Sequence, residues 1–171
     1  MLRWTKHPLE PMPSFEEVKA ATTLEAKEAL ARWYDAREER IRLAKQDPIR
    51  HGYTLPQQEE VEQVLASKSE VWVFGGNRSG KSYNAARIVM KALLENPGCV
   101  IICWSQSEEA SIEMQQPYLW EMLPSEYQTK IKEQTANINW NDKTGFTGKK
   151  FVLPNGSKCL FRFYSQFTQN P

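Results

Sequence analysis

The stretch Val71-Trp72-Val73-Phe74-Gly75-Gly76-Asn77-Arg78-Ser79-Gly80-Lys81-Ser82 constrains this chain most, because a four-residue apolar run enters a G-x-x-x-x-G-K-S sequence directly. That spacing is the one a phosphate-binding loop requires. Gly75, Gly76 and Gly80 let the backbone turn so that successive N–H groups face an anion. Lys81 can bring a point charge to the β- and γ-phosphates, and the Ser82 hydroxyl can ligate Mg²⁺. The apolar run suits a buried parallel strand, and residues 81–95 carry Ala85, Ile88, Val89, Ala92 and Leu93 at helical spacing. A helix that starts at the loop adds the positive end of its dipole to the anion site. The bland alternative is a glycine-rich turn between a strand and a helix.

The chain has 171 residues, enough for one domain with a core or for a fragment of something larger. Its apolar fraction of 40 % and charged fraction of 25 % describe a globular chain, and a net charge of +1 gives no support for a protein that coats nucleic acid with a basic surface. No run approaches the length of a membrane span, and Met1 to Pro8 lacks an apolar signal-peptide core, so no membrane partner and a cytoplasmic location are expected. Cys99 and Cys103 fall on one face of an expected buried strand, as two core thiols, and Cys159 stands isolated. His7 and His51 lie at no metal-ligand spacing from these cysteines.

Residues 1–50 read as an N-terminal helical extension, and residues 51–171 as the part that holds the loop. Pro8, Pro11 and Pro13 imply an extended opening, after which Ser14 with Glu17 and Thr22 with Glu25 each make a capping box. The second helix is expected to run to about Lys45 with Leu30, Trp33, Tyr34, Ile41 and Ala44 on a stripe packed against the following domain, and Asp47-Pro48 ends it. Its charged outer face reads as solvated. A further helix contains Val61, Val64 and Leu65; Thr54 and Gln57 fit a capping box there, which accounts for Gln57 and leaves Gln58 unexplained. A glutamine amide offers the donor and acceptor that read an adenine edge, and Tyr53 could stack nearby, whereas the alternative for Gln58 is a surface side chain.

Beyond the loop helix, Asn96-Pro97-Gly98 stops the chain and residues 99–104 read as a second buried strand, which would close a parallel β-α-β unit. Ser105 and Glu108 fit a capping box for a helix reaching Leu123, with Pro117 expected to kink or divide it and Pro124 to end it. Residues 151–164 read as a β-hairpin with Asn155-Gly156 at its turn. Lys149, Lys150 and Lys158 could contact nucleic acid, but gatekeeper lysines on a solvated edge are the simpler reading. No apolar run ends in Asp or Glu, so the carboxylate that holds Mg²⁺ in a hydrolytic site is not evident; Glu108 and Glu109 sit at a helix start, where the dipole explains them. The expected fold class is α/β of the P-loop NTPase type, with a partial parallel sheet, flanking helices and a β-hairpin after the N-terminal helical segment.

The order Asp47-Pro48, His51-Gly52-Tyr53, Pro56-Gln57-Gln58, the G-G-N-R-S-G-K-S loop, and the Leu153-Pro154-Asn155-Gly156-Ser157 hairpin resembles the large terminase subunit of tailed bacteriophages, over roughly residues 45–171. The resemblance implies an ATPase using ATP and Mg²⁺, which docks on the portal protein of a procapsid in the host cytoplasm. It also implies double-stranded DNA, a small terminase subunit and further copies of itself as partners. It makes Gln58 the adenine contact, with Gln57 as fallback, and Arg78 an arginine finger in cis; Asn77 and Ser79 join the nucleotide-binding loop. The acidic second motif and a nuclease domain find no counterpart in these residues, so the 171-residue chain alone is expected to be inactive. A helicase-like ATPase and a non-hydrolysing nucleotide-binding or assembly module remain as alternatives.

Overall fold

The structure, a computed structural model, describes residues 13–76, 79–128 and 138–164. The proline-rich opening lies largely outside them. Ser14 caps helix α1 (Phe15–Ala20), its hydroxyl accepting from Glu17 N at 3.1 Å while the Glu17 carboxylate accepts from Ser14 N at 2.7 Å, the reciprocal box read from the sequence. The next helix, α2 (Leu24–Gln46), starts one residue later than expected. Thr23, not Thr22, is its cap and accepts from Ala26 N. Over 23 residues α2 buries none of its side chains. Trp33 and Tyr34 meet each other edge to face at 5.0 Å, with the Arg37 guanidinium over Trp33. Asp47 then caps the short α3 (Pro48–His51), and Pro56 opens α4 (Pro56–Leu65).

The loop helix α5 (Lys81–Glu95) forms as the sequence requires, and its fully buried apolar side chains are Ala86, Met90 and Leu93. Ala85, on the expected stripe, faces solvent. Strand β1 (Val100–Ser105) follows. The single expected helix is then two, α6 (Glu108–Met114) and α7 (Gln116–Met122), with Pro117 in the first turn of the second, where its missing N–H costs nothing. Ser107, not Ser105, caps α6, because Ser105 is still paired in the sheet. The two-residue strands β2 (Trp140–Asn141) and β3 (Gly145–Phe146) pair antiparallel. Strands β4 (Lys150–Val152) and β5 (Lys158–Phe163) form the expected hairpin, with Gly156 at φ +85° in its turn.

The main sheet has the order β1-β5-β4, with β1 parallel to β5 and β4 antiparallel to it. Cys103, Phe151, Cys159, Phe161 and Phe163 point from one face into a core with Met90, Leu93, Leu119, Met122 and Leu123 of the helical layer. Cys159 is therefore not isolated: its sulfur lies 3.7 Å from that of Cys103, and this contact together with burial pushes the Cys159 thiol well above its ordinary range. On the opposite face Val100, Ile102, Trp104 and Val152 are exposed.

The expected strand over Val71–Phe74 is absent, and with it the β-α-β unit in the form anticipated. A strand exists only where a neighbour takes its N–H and C=O groups, and among the described residues none pairs with this segment. Trp72 and Phe74 stand 75 % and 87 % exposed. The parallel pairing of the fold is instead β1 with β5, whose connection carries α6, α7 and the hairpin arm.

Candidate functional site

The site is assembled at the N-terminal end of α5. Gly80 occupies the left-handed region at φ +81° and serves as the helix N-cap, its carbonyl accepting from Asn84 N at 2.9 Å. A side chain there would be strained, which is why glycine stands at this junction. Among the described residues no side chain caps this helix end.

The Lys81 ammonium folds back over the loop and donates to Gly75 O at 2.7 Å, Gly76 O at 2.8 Å and Ser79 Oγ at 3.2 Å. All three of its donors are thereby directed at oxygens. The loop is drawn tight: a Cβ on Gly75 would lie 2.8 Å from Ser79 Oγ, whereas one on Gly76 would meet nothing. Ser82 is exposed in the first turn of α5. The structure thus brings Gly75, Gly76, Ser79, Gly80, Lys81 and Ser82 together. Asn77 and Arg78 lie outside the described residues, and so does the role expected of Arg78.

Of the two glutamines, Gln58 is at the loop and Gln57 is exposed on α4. Leu55 is the N-cap of α4 and offers no side-chain acceptor, so the Gln58 Oε1 three residues on accepts from Leu55 N at 3.0 Å. The capping role assigned to Thr54 and Gln57 therefore belongs to the Leu55 backbone and Gln58. The error came from placing the helix start one residue early; Pro56 at the first helical position sets it. Tyr53 is half-buried just before this turn.

Sequence reading missed what holds α4 against α5. Glu62 on α4 forms an ion pair with Arg87 and another with Lys91 at 3.0 Å, both on α5, and the Arg87 and Glu62 side chains are only 11 % and 18 % exposed. Burial lowers the Arg87 guanidinium from its ordinary value, and Glu59 and Glu95 oppose that shift. Partners so far apart in sequence leave no periodic signal. Tyr83, half-buried in the first turn of α5, has its phenol pushed up to about 12 by burial and then by the negative charge of Glu121.

The carboxylates named from sequence are engaged elsewhere. Glu108 binds Lys149 Nζ at 2.6 Å, and that ammonium also sits over the Phe163 ring. Glu109 lies in the first turn of α6, where a backbone N–H and then the Ser107 hydroxyl lower its carboxyl. Among the described residues no cluster of His, Cys, Asp and Glu could hold a metal ion, and no helix is long and apolar enough to cross a membrane.

A family model described as "Terminase large subunit, T4likevirus-type, N-terminal" matches residues 73–170. The match covers the loop, α5, the main sheet and the helices α6 and α7. It begins after α4, so Gln58 lies outside it. No curated protein and no solved structure matches the chain. With more than half of its residues matched, and with the glycine-rich loop, α5 and the sheet all inside the matched region, the chain belongs to the family of large terminase subunits and carries the N-terminal portion.

Proposed function

We propose that this chain is the ATP-binding part of a DNA-packaging ATPase, the motor subunit that drives double-stranded DNA into procapsids. The family carries a DNA-packaging role and is generally an ATPase. The observation that carries the reading is Lys81, whose ammonium gathers three oxygens at the uncapped N-terminal end of α5. The oxygens of a triphosphate can take the places of the two carbonyls and the hydroxyl, and the free N–H groups supply the rest of the cradle. The tight approach of Ser79 to Gly75 and the left-handed Gly80 fit a loop that closes on phosphate.

In this reading the fold is of the P-loop NTPase type, with residues 1–50 as an extension and 51–171 as the N-terminal part of the ATPase domain. Ser82 would hold Mg²⁺, which neutralises charge developing on the phosphates. Asn77 would belong to the nucleotide-binding loop, and Arg78 would act as an arginine finger in cis. The partners are double-stranded DNA, the portal protein, the small terminase subunit and further copies of the chain, in the host cytoplasm.

One observation favours binding without turnover in the 171-residue chain: Glu108 and Glu109 are engaged away from the loop. Steady-state phosphate release and calorimetric titration with ATP–Mg²⁺ test both points. Saturable ATP binding with no release above a Lys81→Ala background is expected. A wild type that binds no ATP would overturn the nucleotide reading, and turnover on the order of 1 s⁻¹ would show a hydrolytic carboxylate in these residues.

A further inference from the structure

Helix α5 meets its neighbours in two different ways. On one side Ala86, Met90 and Leu93 are buried in the apolar core. Asn84, Arg87 and Lys91 lie on another face, at three- and four-residue spacing, and both of these cations pair with the single carboxylate of Glu62 on α4. From its own side α4 brings no fully buried apolar side chain, and Val64 and Leu65 stand 39 % and 37 % exposed. Apolar packing thus holds α5 to the core, whereas charge holds α4 to α5.

That charge is enclosed. The Arg87 and Glu62 side chains are largely buried, and removing an ion from water is costly unless its partner offsets the loss. Asn84 Oδ1 and Arg87 Nε are enclosed on the same face of α5 with no hydrogen-bond partner among the described residues. Opening this seam gives water to every one of these groups, so much of what is lost with the ion pairs is regained by hydration. An apolar seam regains nothing of the kind.

We infer that α4 is a strap that opens from α5 while the core stays folded, and that Glu62 is its latch. Without the carboxylate, Arg87 is left buried and unpaired. Because Ala86, Met90 and Leu93 anchor α5 on its other side, α4 is the helix that yields. Opening of this kind is a local event, exposing far less surface than unfolding of the chain.

The test is native-state hydrogen exchange, read residue by residue by NMR, on the 171-residue wild type, Glu62→Gln and the double variant Glu62→Met/Arg87→Met. In the wild type the amides of residues 60–65 should exchange faster than those of residues 88–93 by on the order of 10-fold or more, and low urea should speed only the second group. Equal urea dependence in the two groups would show that α4 opens only with the whole chain, and would overturn the inference. Glu62→Gln should speed exchange of residues 60–65 by a further factor on the order of 10, as expected for a charged contact. The double variant removes the stranded cation as well and should recover most of the protection. Unchanged exchange in Glu62→Gln, or exchange as fast in the double variant as in the single one, would show that Glu62 is no latch. Should Glu62→Gln not fold, Glu62→Asp, which keeps the charge but draws it back by one methylene, takes its place, and the wild-type comparison needs no variant at all.

Discussion

The two ends of α5 are finished in opposite ways. At the C-terminal end, Asn155 reaches back 62 residues to donate from Nδ2 to Leu93 O at 2.8 Å and Leu94 O at 3.3 Å, while Ser157 Oγ donates to Asn96 O at 2.8 Å. The same Asn155 holds the hairpin turn, its Oδ1 accepting from Ser157 N at 3.0 Å. Carbonyls that a helix cannot satisfy for itself are thus met by the protein. At the N-terminal end no side chain among the described residues caps the helix, and Lys81 is folded onto the loop's own oxygens. One end is closed and belongs to stability. The other carries no side-chain cap among the described residues, and the proposed function assigns it to a ligand.

This contrast predicts that substitutions at the two ends separate binding from stability. The largest effect is expected for Lys81→Ala, which should weaken ATP–Mg²⁺ by on the order of 100-fold, as expected for a charge-assisted contact, and leave the thermal midpoint nearly unchanged. A midpoint that falls together with affinity would break the comparison. Asn155→Ala should do the reverse. It orphans helix carbonyls and loosens the turn, so a loss of about 2 kcal/mol, read as a fall of roughly 4–8 °C in Tm, is expected, with the ATP dissociation constant of the folded fraction kept.

Gly80→Ala should fall between these, because the residue belongs to the loop and to the helix at once. A left-handed conformation costs a residue with a Cβ about 1–2 kcal/mol, and calorimetry with thermal melting should find that cost divided between affinity and stability. A purely thermal effect would place Gly80 with the closed end. The smallest effect at neutral pH is expected at Tyr83. Its phenol ionises near 10 when unfolded and only at about 12 when folded, pushed up by burial and then by Glu121, so the folded state holds the proton more tightly. Stability from this group is complete below pH 10 and is lost as pH rises through 12. Tyr83→Phe should flatten that part of the pH–stability curve and change nothing at pH 7, and an unchanged alkaline slope would show that the phenol is not held this way.

Where the reading of the chain succeeded, the deciding partners are close in sequence. The Ser14–Glu17 box, the Asn-Gly turn with Gly156 at φ +85° and the division of α6 from α7 at Pro117 each depend on groups within a few residues. Small slips came from the same cause: Thr23 for Thr22 and Ser107 for Ser105 shift a cap by one or two residues, because several hydroxyls in a row offer the same chemistry. The capping bond read for Gln57 belongs to Gln58, whose partner was not legible, since capping by Gln58 depends on where Pro56 lets the helix begin.

By itself the sequence determined the loop's residues, the helix that leaves it and the hairpin, because each is set by backbone conformations and hydrogen bonds that neighbouring residues complete among themselves. Only the tertiary structure decided that Val71–Phe74 is no strand, that Cys159 lies against Cys103, that Glu62 joins α4 to α5, and that Asn155 closes α5. In each case the partner is supplied by chain folded from far away. A run of apolar residues states a readiness to pair or to be buried; whether it does either depends on what stands beside it.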